Sequence, residues 1–328
     1  MEVITYGTRG SVPVARPGVS ETGGNTTCLR IVSDRIPADT ALIVDAGSGI
    51  VPLAMELLKE GIKKVVLLFT HWHHDHTQGL LLTALPFIKV IPIYVYGPIQ
   101  NGYGPKEVFE TLFKKPYFPV DFPMVASHFN FFSFDHPQNH IMVVHPQSGV
   151  KRLMIDSFER QVQKDGRVLF SRGQSQPVDD CLVIKLHNTD HPEQTVSYRF
   201  EERPSGRVFT LLTDHESQRG FPMSLVNHLR GSHLLIQDAQ YSLTDYANGK
   251  AGFGHGTPDY AVELANKVGA ERLGLTHHDP MSDDDKVAAI CAEAQGFAAQ
   301  ALELAGEGEV RIRPDTIFAC TDYGRYLV

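Results

Sequence analysis

Cysteines and long apolar runs are scarce in this chain. Four of the 328 residues are cysteine, namely Cys28, Cys181, Cys291 and Cys320, too few and too scattered for a disulfide framework or a cysteine-rich zinc site. No apolar run approaches the roughly 18 residues that a membrane-spanning helix needs, and the first residues lack the apolar core of a signal peptide. We therefore expect a soluble protein of a reducing compartment, the cytoplasm, without a membrane partner.

Positive charge is also scarce. Thirty Lys and Arg against 38 Asp and Glu give a net charge of −8, so the molecule as a whole repels polyanions. Nucleic acid is therefore disfavoured as a partner, although a local basic patch would still permit it. Hydrophobic residues make up 42% and charged residues 21%, a globular composition that excludes disordered, collagen-like and coiled-coil proteins.

Short apolar runs, turn clusters and helical segments alternate along the whole chain. Strands are expected at 3–6, 27–32, 41–45, 65–69, 93–96, 141–145, 181–186, 195–200, 208–213, 234–237 and 272–276, and helices at 51–59, 80–85, 258–268 and 283–304. No repeat, low-complexity tract or linker divides the sequence. The pattern predicts a single domain over residues 1–328, with two sheets flanked by helices.

The segment 97–121 interrupts this pattern, because it is rich in glycine, proline and aromatic residues. We expect it to form a helical, lid-like insertion beside the functional site. Two roles stay open for its aromatic side chains: closing over a ligand, or ordinary core packing. These side chains are Tyr103, Phe109, Phe113, Tyr117 and Phe118.

Four of the six residues from 71 to 76 are histidine, in a cluster of the form H-x-H-x-D-H. A buried apolar run precedes it, which places the cluster on a loop at the carboxyl end of a strand, where open sheets usually bind ligands. His71 and His73, two apart in an extended loop, point the same way and can bind one metal ion, while Asp75 and His76 turn toward a second. Imidazole and carboxylate ligands favour Zn²⁺, with Mn²⁺ or Fe also able to occupy such a site.

Two metal ions need more ligands than this cluster supplies. Further histidines and an aspartate follow apolar runs downstream, at His187, His191, Asp214, His277 and His278. The residues alone do not decide between His187 and His191, or between His277 and His278. Two further residues are candidates for supporting roles: Arg9, in the Gly-rich loop after the first strand, for substrate binding, and Asp45, at a strand end, for orienting a ligand histidine.

The H-x-H-x-D-H motif resembles the signature of the metallo-β-lactamase superfamily. Within it the chain looks like the branch of ribonuclease Z and the phosphoribosyl cyclic phosphodiesterases. The segments that carry this narrower match are GTRGSVP, GGNTTC, HPEQTVSYRF, LLTDHE and GHGTPDYAVELANKVGAERLGLTHHDP. The last is similar to the His-Ser-Thr element of ribonuclease Z, with Gly256 in place of the serine. The resemblance implies an α/β (α+β) fold, a four-layer αββα sandwich of two mixed β-sheets flanked by helices.

The resemblance also implies a ligand set for two divalent metal ions. The first ion would be bound by His71, His73 and His191, the second by Asp75, His76 and His277, with Asp214 bridging the two. His187 is the alternative to His191, and His278 is the alternative to His277 or else a substrate-binding group. His255 corresponds to the histidine that faces the scissile phosphate in the ribonuclease Z branch.

A metal-dependent hydrolase of ester bonds follows from the resemblance. We expect cleavage of a small or cyclic phosphodiester by a metal-bridging hydroxide, with Asp75 and His255 as catalytic groups. Alternatives are tRNA 3′-end processing, thioester or lactone hydrolysis on the same scaffold, and a non-catalytic metal-stabilised binding protein. A homodimer is expected only because dimers are common.

Overall fold

A computed structural model describes residues 1–216, 220–306 and 311–328. The strands are β1 (Glu2–Gly7), β2 (Cys28–Val32), β3 (Thr40–Val44), β4 (Lys64–Leu68), β5 (Ile93–Pro98), β6 (Phe129–Phe134), β7 (His140–His145), β8 (Gly149–Met154), β9 (Arg167–Leu169), β10 (Ser175–Pro177), β11 (Leu182–Thr189), β12 (Thr195–Glu202), β13 (Arg207–Leu212), β14 (Leu234–Asp238), β15 (Arg272–Thr276), β16 (Ile317–Ala319) and β17 (Arg325–Leu327). The α-helices are α1 (Ile50–Glu60), α2 (His74–Thr77), α3 (Pro105–Leu112), α4 (Ile155–Asp165), α5 (Met223–Leu229), α6 (Leu243–Asp245), α7 (Pro258–Val268) and α8 (Asp284–Glu303).

Two mixed sheets form the centre of the molecule. The first has the strand order β17-β1-β2-β3-β4-β5-β6, and the second has the order β16-β15-β14-β13-β12-β11-β7-β8. In the first sheet, β3 to β6 run parallel; in the second, β13 to β16 run parallel. β9 and β10 form a separate small hairpin.

The side chains of β3 show how the layers arise. Ala41 and Ile43 pack with α1 on the outer face of the first sheet, while Leu42 and Val44 pack against side chains of the second sheet. Successive residues of a strand point to opposite faces, so a continuous apolar strand is one covered on both sides. The outer face of the second sheet is covered by α5, α7 and α8. The predicted αββα sandwich is therefore confirmed.

The helix at the edge of the functional site has clear boundary signals. Helix α7 starts with Pro258 directly after Thr257 and ends at Gly269, which has the left-handed backbone conformation that glycine adopts without strain. Its bounds agree with the sequence prediction. Among the described residues, none of the helices combines the length and the apolar character needed to cross a membrane.

The segment 97–121 forms α3 and the loops around it. Phe109 and Phe113 are each 1% exposed and belong to the core beneath the first sheet, so core packing is their role in the structure. Tyr103 and Tyr117 are 54% and 88% exposed. The stretch 80–85, expected to be helical, forms two separate 3₁₀ turns at Leu80–Leu82 and Leu85–Phe87.

Candidate metal centre

The residues that the sequence singles out converge at one edge of the two sheets. The H-x-H-x-D-H cluster follows β4, and its second half forms the single turn α2. His191 lies between β11 and β12, Asp214 follows β13, and His277 follows β15. Because β13, β14 and β15 are parallel, their carboxyl ends meet at the same edge.

A first group of ligand atoms belongs to His71, His73, His191 and Asp214, all within 4.8 Å of one another. His71 Nε2 lies 3.5 Å from Asp214 Oδ2, and His73 Nδ1 lies 3.5 Å from His191 Nε2. The Nε2 atom of His71 is buried and has no hydrogen-bond partner among the described residues. A buried, unsatisfied imidazole nitrogen is costly unless something coordinates it.

A second group consists of Asp75, His76, Asp214 and His277, again within 4.8 Å. Asp214 Oδ1 lies 3.2 Å from the Nε2 atoms of both His76 and His277. Asp75 Oδ2 lies 3.2 Å from His277 Nε2 and 3.4 Å from His76 Nε2. The two carboxylate oxygens of Asp214 thus face different groups, the arrangement expected of a bridging ligand.

Hydrogen bonds hold the two imidazole rings of the second group at the nitrogen that faces away from the site. Nδ1 of His76 donates to Asp45 Oδ2 over 2.8 Å, and Nδ1 of His277 donates to Gln240 Oε1 over 2.9 Å. Such contacts fix the tautomer and leave the other ring nitrogen for a metal ion. The suggested orienting role of Asp45 matches this geometry, whereas Gln240 escaped the sequence analysis because an isolated loop amide carries no motif.

The rings of the first group are held in the same way. Nδ1 of His191 donates to the Gly254 carbonyl over 2.8 Å, and His73 Nε2 donates to Glu193 Oε2 over 2.9 Å. His73 therefore presents Nδ1, not Nε2, to the site. Glu193 also escaped the sequence analysis, although it lies in the HPEQTVSYRF segment that carries the family resemblance.

The donor set fits two divalent cations. Each group offers imidazole nitrogens with a carboxylate, which suits Zn²⁺ and also Mn²⁺ or Fe, and the unpartnered Nε2 of His71 points to a missing coordination partner. Of the ligands expected from the resemblance, all seven lie in these two groups.

The charges of the cluster favour ionised carboxylates. Burial by itself would raise the pKa of Asp214, but the neighbouring imidazoles of His277, His76 and His71 hold it well below its usual value. Burial would also raise the pKa of Asp75, but the neighbouring His76 and His277 outweigh it and lower that pKa. Burial also lowers the pKa of His71, which favours the neutral form that binds metal.

His255 stands at the side of the second group. Its Nδ1 donates to Asp238 Oδ2 over 2.8 Å, and its ring stacks on that of His277 with 4.8 Å between centroids. Burial lowers the pKa of His255, but the charge and hydrogen bond of Asp238 outweigh this and raise it to about 9. Asp238 ends β14. An aspartate at the end of a strand is the same signal that identified Asp214, but it was not used for Asp238.

A cavity of about 390 Å³ opens onto these side chains. It is lined by Ser11, Trp72, His73, His74, Asp75, Asp214, His255 and His277. His74 is exposed and lies outside both ligand groups.

Three residues of the site have a left-handed backbone conformation. The φ angles of Asp45, Asp214 and His277 are 58°, 49° and 61°, values that cost energy for any residue other than glycine. Aspartate and histidine are among the residues that tolerate this region best. The turned backbone after β15 separates the orientations of His277 and His278.

A carboxylate at the back of the site anchors the loop that carries Gly254 and His255. Glu216 is buried and accepts hydrogen bonds from the backbone N–H groups of Gly252 and Gly254 over 2.7 and 2.8 Å. The Tyr246 hydroxyl donates to the same carboxylate over 2.6 Å. Because the Gly254 carbonyl orients His191, Glu216 connects this loop to the first ligand group.

Arg9 and His278 do not line the cavity. The Arg9 side chain is fully buried and donates to the carbonyls of Gly23, Asp279 and Ser282. His278 Nε2 donates to the Cys320 carbonyl over 2.8 Å. Both side chains therefore join loops of the fold, and their geometry argues against the predicted substrate contact.

His187, the alternative to His191, lies away from both ligand groups. Its ring stacks on that of His228 with 5.3 Å between centroids, and it lines a different cavity, together with Asn188 and His215. The structure thus brings His191, and not His187, to the candidate metal centre.

The chain matches no model of a known protein family. A curated relative, ribonuclease Z from Lachnoclostridium phytofermentans, is 24% identical over 254 residues, which cover 74% of this chain and 79% of the relative. The solved metallo-β-lactamase fold protein YhfI from Bacillus subtilis has a TM-score of 0.58 and 18% identity, with 99% of this chain and 98% of that chain covered.

Two further solved structures have similar scores. Human tRNase Z, short form, has a TM-score of 0.56 and 19% identity, with 100% of this chain and 99% of that chain covered. A diphosphatase from the PhnP family has a TM-score of 0.54 and 16% identity, with 100% and 97% covered. The resemblance inferred from the sequence motifs is confirmed at the level of the fold.

Proposed function

We propose that this chain, which has the metallo-β-lactamase fold, is a metal-dependent hydrolase that cleaves a small or cyclic phosphodiester at a dinuclear centre. The observation that carries the proposal is the position of Asp214, whose carboxylate belongs to both ligand groups. A carboxylate shared by two such groups is what a pair of neighbouring divalent cations requires.

His71, His73 and His191 would hold one ion, Asp75, His76 and His277 the other, and Asp214 both. Zn²⁺ is our first choice, because the donor set is mainly imidazole. When bound, the ions would supply Lewis-acid polarisation of a phosphoryl oxygen and a water molecule with a lowered pKa.

The protein's own groups would position water and move protons. Asp75 lines the cavity and its Oδ2 is held by the backbone N–H of Ser11 over 2.7 Å, so its carboxylate is fixed where it can orient the attacking water and accept its proton. His255 also lines the cavity, and Asp238 holds its Nδ1. Its Nε2 is therefore the atom that would protonate the leaving oxygen or stabilise the developing charge.

The cavity supports a small substrate. Its volume of about 390 Å³ is at the lower end of the range for small-molecule sites. Neither lysine nor arginine is found among the described residues that line it, and the whole chain carries a net charge of −8. A long polyanion would gain little attraction from such a surface. The diphosphatase among the similar structures is a neighbour that acts on a phosphate compound.

Processing of tRNA 3′ ends is the second candidate, and the similarities to ribonuclease Z and to human tRNase Z favour it. Both proposals use the same metal centre and differ in what lies beyond it. A processing enzyme needs a basic surface that follows the RNA backbone.

An assay of purified protein loaded separately with Zn²⁺ and Mn²⁺ tests the proposal. We expect the wild type to hydrolyse bis(p-nitrophenyl) phosphate and 2′,3′- or 3′,5′-cyclic nucleotides, and to cleave a tRNA precursor no faster than these compounds. Asp75→Ala should show no turnover of any of them. Preferred cleavage of the precursor would establish the second candidate. Turnover of a thioester or lactone alone would refute a phosphodiesterase, and no turnover with both ions bound would leave a binding protein.

The proposed cellular compartment follows from the state of the cysteine thiols. Cys28, Cys181, Cys291 and Cys320 are all free, and three of them are buried. Free thiols suit a reducing compartment, so we place the enzyme in the cytoplasm. The homodimer, expected because dimers are common among proteins, stays a prediction.

A further inference from the structure

We propose that the chain has a second small-molecule site, at the end of the sandwich remote from the candidate metal centre. Its ligand would combine a planar aromatic ring with an anionic group, as nucleoside monophosphates and aromatic carboxylates do. The site is a cavity of about 640 Å³, within the range of roughly 300–1,000 Å³ for small-molecule sites. The proposal does not depend on the metal centre or on the proposed reaction.

This cavity lies between the two sheets, where the parallel strands β4 and β5 begin. β4 starts at Lys64 and runs toward the histidine cluster, so seven residues of extended chain place Lys64 roughly 20 Å from His71. The second sheet contributes the turn between β7 and β8, and the loop between β9 and β10 closes one side. Among the described residues, none of the candidate metal ligands lines this cavity.

Tyr94 and Tyr96 form an aromatic wall of the cavity. They are two residues apart on β5, so both side chains point to the same face of the sheet, the one that packs against the second sheet. Phe132 of β6 stacks on both rings, with 6.3 and 4.6 Å between centroids. Because β4 and β6 lie on opposite sides of β5, the face of Tyr94 toward β4 borders the cavity. A ligand ring would stack on that face.

Lys64 supplies a positive charge next to the same ring. Val66 and Leu68 of β4 face the second sheet, and the alternation of a strand places Lys64 on that inner face too. Its Nζ lies 5.9 Å from the centroid of the Tyr94 ring. In the part of the chain that the structure describes, no carboxylate forms an ion pair with Lys64. An unpaired ammonium on the inner face of a sandwich is suited to the anionic group of a ligand.

The Tyr96 hydroxyl is a separate observation that favours a ligand. Tyr96 is 5% exposed and lines the cavity, yet none of the described residues forms a hydrogen bond with its hydroxyl. Burial raises the pKa of Tyr96 to about 12, so the hydroxyl keeps its proton at neutral pH and is a donor. A nearly buried donor without an acceptor is unfavourable, and an oxygen of the ligand would accept this hydrogen bond.

The remaining walls are polar. Gln147, Ser148 and Gln174 line the cavity, and the Ser148 hydroxyl accepts a hydrogen bond from Gln176 Nε2 over 3.0 Å, which leaves its own proton free to donate. Asp39 also lines the cavity, but it is exposed. Polar groups at these walls would orient a ligand whose ring lies against the tyrosines.

Calorimetric titration of the metal-loaded protein tests the site. The probes are adenosine 5′-monophosphate and indole-3-acetate, with adenosine as the probe that lacks an anion. We expect at least one of the two anions to bind, and the tighter one identifies the source of the ligand. Lys64→Met should weaken its binding about tenfold and that of adenosine less than twofold. Tyr96→Phe, which keeps the ring, should weaken the anion about fivefold. Binding of neither anion, or equal binding by the wild type and Lys64→Met, would overturn the proposal.

Lys63→Met is the matched control for the charge. Lys63 is the neighbouring lysine, but it is exposed and does not line the cavity. Its replacement lowers the net charge of the chain by the same amount and should leave the affinity for both anions unchanged. A loss of affinity equal to that of Lys64→Met would show a general charge effect and would refute the site.

Two measurements separate this site from the metal centre. Asp214→Ala removes a residue of both ligand groups and should still bind the aromatic anion with the affinity that depends on Lys64. Lys64→Met should hydrolyse bis(p-nitrophenyl) phosphate as fast as the wild type does. If the wild type hydrolyses no phosphodiester but shows the Lys64-dependent binding, the proposed function fails and the second site stands. Loss of all anion binding in Asp214→Ala would place the ligand at the metal centre and overturn the second site.

Discussion

Asp238 and His255 are joined by a 2.8 Å hydrogen bond from the imidazole Nδ1 to the carboxylate. One residue ends β14 and the other lies just before α7, so the contact joins two elements of the second sheet layer at the mouth of the cavity. A carboxylate behind a histidine fixes its tautomer and stabilises its protonated form. In the proposed function, His255 is therefore the proton donor beside the candidate metal ligands.

His255→Ala should therefore reduce kcat by about 10²–10⁴, the usual contribution of a general acid, with two metal ions still bound per chain. Asp238→Asn should cause a smaller loss, because the ring remains but its proton and orientation are no longer fixed. Steady-state kinetics and metal analysis of the same preparations check both. Full activity of His255→Ala would remove this residue from the mechanism.

Asp214→Ala should lose metal as well as activity, because its two oxygens face both ligand groups. We expect fewer than one ion per chain by elemental analysis and loss of phosphodiester hydrolysis. Asp315→Ala removes an exposed aspartate, 72% accessible and remote from the site, and should retain both ions. Two tightly bound ions in Asp214→Ala would contradict a bridging role.

The sequence alone was sufficient to locate the candidate site, because apolar runs mark strands and the polar residues after them mark strand ends. The run before His71 is β4, and the stretch before His277 is β15 with the predicted bounds. Both predictions depend only on local patterns of burial.

The choice between neighbouring histidines could not be made locally. His277 and His278 follow the same strand, but His278 pairs its backbone with Thr8 and Gly10 from the start of the chain, while His277 turns with a φ of 61° toward the site. The helix α4 was also missed, although Ile155, Phe158 and Val162 lie three and four residues apart, the spacing of an apolar helix face.

Glu216→Gln should weaken the first ligand group without unfolding the protein. The amide cannot accept all three hydrogen bonds from Tyr246, Gly252 and Gly254, so the Gly254 carbonyl shifts and His191 is less well oriented. Loss of such an outer contact typically lowers metal affinity 10–100-fold, which competition with a chelator measures.

Glu56→Gln provides the matched control for this substitution. Glu56 also accepts a hydrogen bond from a tyrosine hydroxyl, that of Tyr6, over 2.5 Å, but it lies on α1, outside both ligand groups. The metal affinity of Glu56→Gln should equal that of the wild type. If Glu216→Gln and Glu56→Gln bind metal equally well, Glu216 only stabilises the loop.

The segment 97–121 should separate into a core part and a surface part. Phe109→Ala removes a ring that is 1% exposed and should lower the free energy of unfolding by about 3–5 kcal/mol. Tyr117→Ala, at a position 88% exposed, should stay within about 0.5 kcal/mol of the wild type. Urea denaturation measures both.

For the predicted lid, Tyr103→Ala should raise KM while the unfolding midpoint is unchanged. An unchanged KM would argue against a lid.

Asp322 predicts a pH dependence of stability that lies outside the metal centre. Its carboxylate is largely enclosed and accepts a hydrogen bond from the Asn25 N–H over 2.9 Å. Burial outweighs this bond and raises the pKa of Asp322 from 3.8 to about 6. A carboxyl whose pKa is higher in the folded state binds its proton more tightly there, so its contribution is favourable at low pH and is lost as the pH rises through 6.

Asp322→Asn removes this titration while keeping the size of the side chain. The free energy of unfolding of the wild type minus that of the variant should therefore fall by about 2 kcal/mol between pH 4.5 and 7.5. Urea denaturation of the two metal-free proteins at a series of pH values measures the difference, in which the titrations of the shared histidines cancel. A difference that does not change with pH would mean that Asp322 is ionised in the folded protein throughout this range, and that its contacts with the loop around Asn25 offset the effect of burial.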